Sequence, residues 1–290
     1  MKLGVDGVQV GHWTDALHET GCTVVLFPEG TVGSGEVRGG APATREFSLL
    51  DPTRMMQQLD AVVLTGGSAF GLASAEGVVD FCAEHDRGFA TPAAKVPIVV
   101  ALALYDLGSG DALVRPSARE GRLAAVAAVD DNCEIGRIGA GTGAMTGKWR
   151  GRDEAVAGGL GVATVRRDDL VVAAIVAVNA AGDIDDGSVA AAIEQGTFVW
   201  PAPVEPFAPV ENTTIGVIVT NARIDKVGCH LVAQSGHDGL ARALFPAHTR
   251  GDGDALVVAA TQAVDATVDV VRILAVIAVE RAVRSVVQTR

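Results

Sequence analysis

The chain has 290 residues, with 23 Lys and Arg against 35 Asp and Glu, and its formal net charge of −12 argues against a nucleic acid or other polyanion as partner. Hydrophobic residues make up 49% and charged residues 20%, so the sequence can bury a sizeable core and is not a disordered chain. Only 4% of it is aromatic while 35 residues are glycine, so that core must be built from small side chains and closely approaching backbones.

The opening run MKLGVDGVQVGHW has neither an apolar signal region nor a cleavage pattern, and no targeting segment is read there. Residues 22–27 and 31–37 read as strands, with Pro28-Glu29-Gly30 as the turn of a hairpin between them. Asp51-Pro52 reads as a helix start, residues 61–65 as a short buried strand, and Gly66-Gly67-Ser68 as a tight loop opening a helix toward His85. A strand over 95–107, an Ala-rich helix over 117–129 and a glycine-rich loop over 136–147 follow. Residues 161–165 and 170–178 form a second hairpin across Arg166-Arg167-Asp168-Asp169. An irregular stretch over 182–209 ends in a Pro-rich seam at 201–209. Beyond it come a strand over 213–220 with both faces apolar, a helix over 225–245, a strand over 255–260 and a helix over 265–287. That last segment is very apolar, but Arg272, Glu280, Arg281 and Arg284 interrupt it, so no membrane span is expected. The order of elements describes one α/β unit without internal repeats.

Cys22, Cys82, Cys133 and Cys229 show no C-x-x-C spacing and read as buried small hydrophobes in a reducing, cytoplasmic setting. The six histidines form neither H-x-x-x-H nor H-E-x-x-H, so no metal site is expected, and His237-Asp238-Gly239 reads as a local turn or helix kink. Gly66-Gly67-Ser68-Ala69-Phe70-Gly71 falls short of a nucleophile elbow because Phe70 stands where G-x-S-x-G needs glycine. It reads as a loop for close packing, or for lining a site with its amides. Gly141-Thr142-Gly143-Ala144-Met145-Thr146-Gly147-Lys148 resembles a phosphate loop, but its glycines are one residue too far apart and Trp149 replaces the Ser or Thr that would hold magnesium. By itself Lys148 reads as a solvated surface lysine.

The least ordinary segment is Glu211-Asn212-Thr213-Thr214-Ile215-Gly216, a polar junction leading straight into a buried strand. Its hydroxyls either satisfy strand ends, or the chain cuts itself at Asn212-Thr213 and leaves Thr213 as an N-terminal nucleophile. A terminal α-amine has an ordinary pKa of about 7.7–8.0 and can activate such a hydroxyl near neutrality without a histidine. Gly251-Asp252-Gly253-Asp254 reads by spacing as a polar turn, yet in extended backbone its two carboxylates share one face.

At these residues the chain resembles the self-processing aminopeptidase family that includes the L-aminopeptidase/D-Ala-esterase amidase, the β-aminopeptidases and the nylon-oligomer endo-hydrolases. The resemblance covers almost the whole length. It is carried by Gly21-Cys22-Thr23-Val24-Val25, Val37-Arg38-Gly39-Gly40-Ala41-Pro42-Ala43-Thr44-Arg45-Glu46, Leu64-Thr65-Gly66-Gly67-Ser68-Ala69-Phe70-Gly71-Leu72 and Val96-Pro97-Ile98-Val99, and further on by Asn212-Thr213-Thr214-Ile215-Gly216, His237-Asp238-Gly239-Leu240-Ala241-Arg242-Ala243 and Asp252-Gly253-Asp254. It implies a four-layer αββα sandwich, layered like the N-terminal-nucleophile hydrolases but differently connected. It also implies one catalytic domain over 1–290, cut into an α chain of residues 1–212 and a β chain of 213–290.

By the same resemblance Thr213 is the nucleophile, Asn212 supplies the carbonyl cut in maturation, and Asn179 is the oxyanion-hole asparagine. Asp252 and Asp254 orient and polarise the nucleophile, with Lys148 and Tyr105 beside it. The implied substrate is a small peptide or amide, handled without metal or organic cofactor by a homotetramer. Two other readings share the architecture: an acyltransferase like the ornithine acetyltransferases, and a non-catalytic scaffold.

Overall fold

The computed structural model describes residues 2–200 and 212–289. In chain order its principal strands are β1 (Gln9–Asp15), β2 (Thr20–Leu26), β3 (Val32–Val37), β4 (Ala43–Arg45), β5 (Ala61–Thr65) and β6 (Val99–Ala103). They continue with β7 (Val129–Asp130), β8 (Gly159–Arg167), β9 (Leu170–Asn179), β10 (Thr213–Arg223) and β11 (Ala255–Asp265). One sheet has the order β4-β6-β5-β2-β1-β7 and the other β8-β9-β10-β11-β3. The β5/β6 and β10/β11 pairs are parallel and the other pairs in these sheets antiparallel.

The strand sequences explain why the sheets stack. Along β9, Val171, Ala173, Ile175 and Ala177 face one way, into a core shared with Val62, Leu64, Val100 and Leu102 of the first sheet. Their neighbours Val172, Ala174, Val176 and Val178 face the other way, against helices. A strand apolar on both faces is one covered on both sides. Over the second sheet lie α3 (Lys226–Ala243) and α4 (Val268–Ser285), through Val232, Leu240, Ala275 and Val279. Over the first lie α1 (Ser74–Glu84) and α2 (Ala118–Val126), through Val78, Cys82, Ala124 and Ala125. The result is the four-layer αββα sandwich, with apolar layers between the sheets and beneath each pair of helices. Ser117 caps α2 in a reciprocal capping box with Glu120, which stops the first turn from fraying.

Five local readings need correction. The strand read over 95–107 is two pieces, Lys95–Val96 paired with Phe89–Ala90 in a small ribbon and β6 in the first sheet, with residues 104–107 outside any strand. Strands over 22–27 and 31–37 exist but do not pair: β2 sits between β1 and β5, while β3 crosses to the edge of the other sheet beside β11. The turn at Pro28 therefore links layers. No helix starts at Asp51. A 3-10 turn, Phe47–Leu50, ends there, and the Asp51 carboxylate is used by Thr53 N and Oγ1 at 2.8 and 2.6 Å. His237-Asp238-Gly239 is not a turn but lies inside α3. Glycine is needed at 239 because a Cβ there would come within 2.6 Å of Val276 O on α4, so the residue lets two helices touch. The stretch over 182–209 contains a helix, Ser188–Glu194, and a strand, Asp183–Ile184, paired to Leu244–Phe245. The Pro-rich seam at 201–209 lies outside the described residues.

Topology decides where chemistry can gather. Strand β10 runs antiparallel to β9 and parallel to β11, so the end of β9 and the starts of β10 and β11 meet at one end of the second sheet. Asn179, Thr213 and the Asp252-Gly253-Asp254 segment occupy those three strand ends.

Candidate active site

Thr213 opens β10 directly opposite Asn179, the last residue of β9. Both are buried, at 4% and 1% exposure. The Thr213 hydroxyl donates to the carbonyl oxygen of Asn212, and that oxygen also accepts from Gly253 N at 3.0 Å. Asn212 is further aligned with Asp252 through an isolated parallel bridge.

The Asn179 side chain is fixed at both ends. Its Oδ1 accepts from Met145 N and Lys148 Nζ, each at 2.9 Å, and its Nδ2 donates to Tyr105 O at 2.9 Å. Two donors at one end and a carbonyl at the other allow only this amide orientation. Lys148 Nζ also donates to Asn179 O at 3.0 Å. Lys148 is thus half-buried against the strand end and is not a solvated surface lysine. A cation on Oδ1 draws electron density from the amide and makes its N–H groups better donors.

The two aspartates are buried to 1% exposure each. Asp252 Oδ1 accepts from Ala181 N at 3.0 Å, and its Oδ2 from Thr249 N and Oγ1 at 2.9 and 2.5 Å. Asp254 Oδ1 accepts from Thr214 N at 2.6 Å, and its Oδ2 from His248 N and Nδ1 at 3.2 and 2.8 Å. Burial, and next the neighbouring Asp254, push the Asp252 carboxyl above its ordinary value. The segment is clamped from outside by the chain leaving β3: Arg38 N and Gly39 N donate to Asp254 O at 3.0 and 3.2 Å, and Ala41 N to Asp252 O at 2.9 Å. Between the aspartates a Cβ on Gly253 would stand 2.8 Å from Thr213 Oγ1 and 2.7 Å from Ala41 O. Only a glycine lets this backbone pass so close to the hydroxyl.

Residues 3–289 match the family model described as peptidase family S58. The chain belongs to that family. It is 39% identical over 292 residues to an uncharacterized aminopeptidase of Mycobacterium leprae, a match covering 91% of this chain and 79% of the relative. It is 30% identical over 291 residues to the 6-aminohexanoate-oligomer endohydrolase of Paenarthrobacter ureafaciens, covering 91% and 76%. Among solved structures its fold is similar to a Burkholderia sp. β-aminopeptidase, with a TM-score of 0.74 at 20% identity over 98% of this chain and 85% of that one. It is also similar to the L-aminopeptidase D-Ala-esterase/amidase of Ochrobactrum anthropi, described as a variant of the Ntn hydrolase fold, with a TM-score of 0.73 at 20% identity over 97% and 84%. The protein is a hydrolase of peptide or amide bonds.

In this peptidase a cavity of about 390 Å³ opens beside the strand ends, lined by Tyr105, Lys148 and Asn179 together with Glu19, Arg137 and Arg152. Glu19 and Arg137 pair across it at 2.6 Å. These last three residues carry no motif, and more than a hundred positions separate Glu19 from the arginines. Asp106, also without a sequence signal, accepts from Gly67 N at 2.6 Å and Thr20 Oγ1 at 2.8 Å. The Gly66-Gly67-Ser68 loop therefore anchors the residue after Tyr105 through a backbone amide. Thr249 and His248, which hold the aspartates, precede them in His248-Thr249-Arg250-Gly251-Asp252. The nearness was readable there, but the contacts were not. Among the described residues no His, Cys, Asp and Glu cluster could hold a metal, and no helix is long and apolar enough to cross a membrane.

Proposed function

We propose that this peptidase is an autoprocessed N-terminal-threonine hydrolase acting on small peptides or amino-acid amides. The observation that carries the reading is the meeting of three groups at one bond: the Thr213 hydroxyl, the Asn212 carbonyl, and the Gly253 N–H on that carbonyl's oxygen. In maturation Thr213 Oγ1 bonds to the Asn212 carbonyl carbon, and the displaced electron pair collects on the oxygen facing Gly253. The C–N bond then breaks, the Thr213 nitrogen takes up the hydroxyl proton and leaves as an amine, and an ester joins the two chains. Water hydrolyses that ester, leaving a carboxylate on Asn212 and a free amine and hydroxyl on Thr213.

In turnover the new α-amine, with an ordinary pKa of about 7.7–8.0, accepts the hydroxyl proton as Oγ1 attacks the substrate amide. The Asn179 amide donates to the oxyanion, the leaving amine departs with the proton, and water releases the acyl group. The relatives' names, aminopeptidase, β-aminopeptidase and 6-aminohexanoate-oligomer endohydrolase, suggest a substrate panel of α- and β-amino-acyl amides and 6-aminohexanoate oligomers, with p-nitroanilides as the chromogenic form. The same resemblance supports reading the protein as a homotetramer, and its free cysteines support a cytoplasmic setting.

The direct test is the mass of the purified protein under denaturing conditions. Two chains, 1–212 and 213–290, the second reading Thr-Thr-Ile-Gly by Edman degradation, are expected. A single uncut chain that hydrolyses amides would defeat the reading.

The aspartates give a second test. Asp252→Asn and Asp254→Asn each lower turnover, and one of them also slows self-cleavage, with losses that do not add because the groups act as one unit. Asp265→Asn does neither. Asp265 pairs with Arg223 at 2.7 Å on an exposed surface, at the opposite ends of β10 and β11 from Thr213. A correctly processed Asp252→Asn/Asp254→Asn double variant with full turnover would reduce the segment to a polar turn.

A further inference from the structure

Two buried carboxylates two residues apart repel one another unless a positive charge lies close. The donors around Asp252 are neutral: two backbone amides and the Thr249 hydroxyl. Asp254 is different, because its Oδ2 faces the ring of His248, with Nδ1 at 2.8 Å. The other ring nitrogen of His248, Nε2, lies 3.3 Å from the carbonyl oxygen of His237. A carboxylate and a carbonyl only accept, so both contacts are hydrogen bonds only when both ring nitrogens carry protons.

The surroundings allow that charge to sit on His248 alone. His237 packs edge-on against it, ring centroids 4.9 Å apart. Its Nε2 meets Glu36 O at 3.0 Å and its Nδ1 has no partner among the described residues. Burial pushes His237 down to about 4, so it stays neutral. Arg38, the nearby cation, is engaged by Asp238 at 3.0 Å and Glu36 at 3.4 Å. Burial alone would lower His248, but the hydrogen bond and negative charge of Asp254 outweigh it, together with the His237 carbonyl, and hold it above 6.5. Its side chain is only 17% exposed, and its backbone is held at a φ of 55°, a left-handed conformation uncommon outside glycine.

We propose that His248 is a positioning residue of this site: a half-buried imidazolium that keeps Asp254 as the fixed anion of the aspartate pair. Through the bond from Thr214 N to Asp254 it holds the first residues of β10, where Thr213 sits. What His248 aligns rests on the Thr213 reading, whereas its pairing with Asp254 stands or falls independently. It contributes stability that is full below the ordinary histidine value of 6.5 and is lost as pH rises through the higher folded value.

The experiment has two arms. In the first, the ring of His248 is titrated by NMR in the wild-type protein, assigned through the backbone. A midpoint above 6.5 is expected, falling by about one pH unit in Asp254→Asn. A wild-type midpoint at or below 6.5 overturns the proposal whatever the protein's activity. In the second arm, His248→Asn keeps a donor near the Nδ1 position, suits a positive φ, and removes the charge. Its processed form is expected to lose about tenfold in kcat with KM nearly unchanged, and the acid limb of its rate profile to move up by about half a pH unit or more. A fall in rate with an unmoved pH profile makes His248 a structural hydrogen bond only and overturns the proposal. If His248→Asn does not fold, the wild-type titration decides.

Discussion

Thr213→Ala remains one chain of 290 residues and loses amide hydrolysis by roughly 10⁵- to 10⁶-fold, the scale seen when a nucleophile acting as part of a catalytic unit is removed. The substitution deletes the hydroxyl that lies against the Asn212 carbonyl, so the acyl shift loses its acceptor. Little else changes. Across the sheet the Asn179–Thr213 pairing is made by backbone, and the amide of Thr214, not the side chain of Thr213, holds Asp254. The melting temperature should therefore stay within a few degrees of wild type, which separates a chemical loss from an unfolded one. Thr213→Ser restores the hydroxyl without the methyl group and should again give two chains, at reduced rate. Intact mass and turnover on an amino-acyl p-nitroanilide read both variants. An alanine variant still cut at position 213 would mean that another group performs the cleavage.

How much of this was legible in the sequence depended on whether the information was local. The strand at Ala61–Thr65, the hairpin of β8 and β9 and the Ala-rich helix α2 are each written in a few consecutive residues. The pairing of β3 is not. In a stack of two sheets covered by helices, inner strands are apolar on both faces, so alternation no longer says which face meets which layer, and a strand after a tight turn has no sequence mark for the sheet it joins. The site divides the same way. Asn212-Thr213 and Asp252-Gly253-Asp254 stand out as polar residues at the mouths of apolar strands, and Asn179 was reached by resemblance. Glu19, Arg137 and Arg152 become neighbours only when the cavity closes. His248 lies six positions before Asp254, but a turn residue with positive φ belongs to no periodic pattern that would aim its ring.

Asn179 gives the other large effect, and it needs two substitutions because this side chain has two duties. Asn179→Ala should lower turnover by roughly 10²- to 10³-fold, the usual loss when one oxyanion-hole donor is removed. It also strips Met145 N of its acceptor, Tyr105 O of its donor and Lys148 Nζ of one of its two contacts with the residue. Buried groups left unpaired cost about 1–3 kcal/mol each, so a lower melting temperature is expected as well. Asn179→Asp separates the duties. A carboxylate keeps an acceptor for Met145 N and strengthens the attraction to the Lys148 ammonium, although like alanine it leaves Tyr105 O without its donor. It cannot donate to an oxyanion and places negative charge where more negative charge must develop. The aspartate variant should melt closer to wild type than the alanine variant while its turnover falls at least as far, with KM changed much less than kcat. Both should be assayed on protein first shown by mass to be cut at Thr213, so that maturation and turnover are scored apart. If Asn179→Asp were stable, processed and nearly as fast as wild type, the amide would be a pin for the Met145–Lys148 loop, and the oxyanion would have to be met by backbone donors instead.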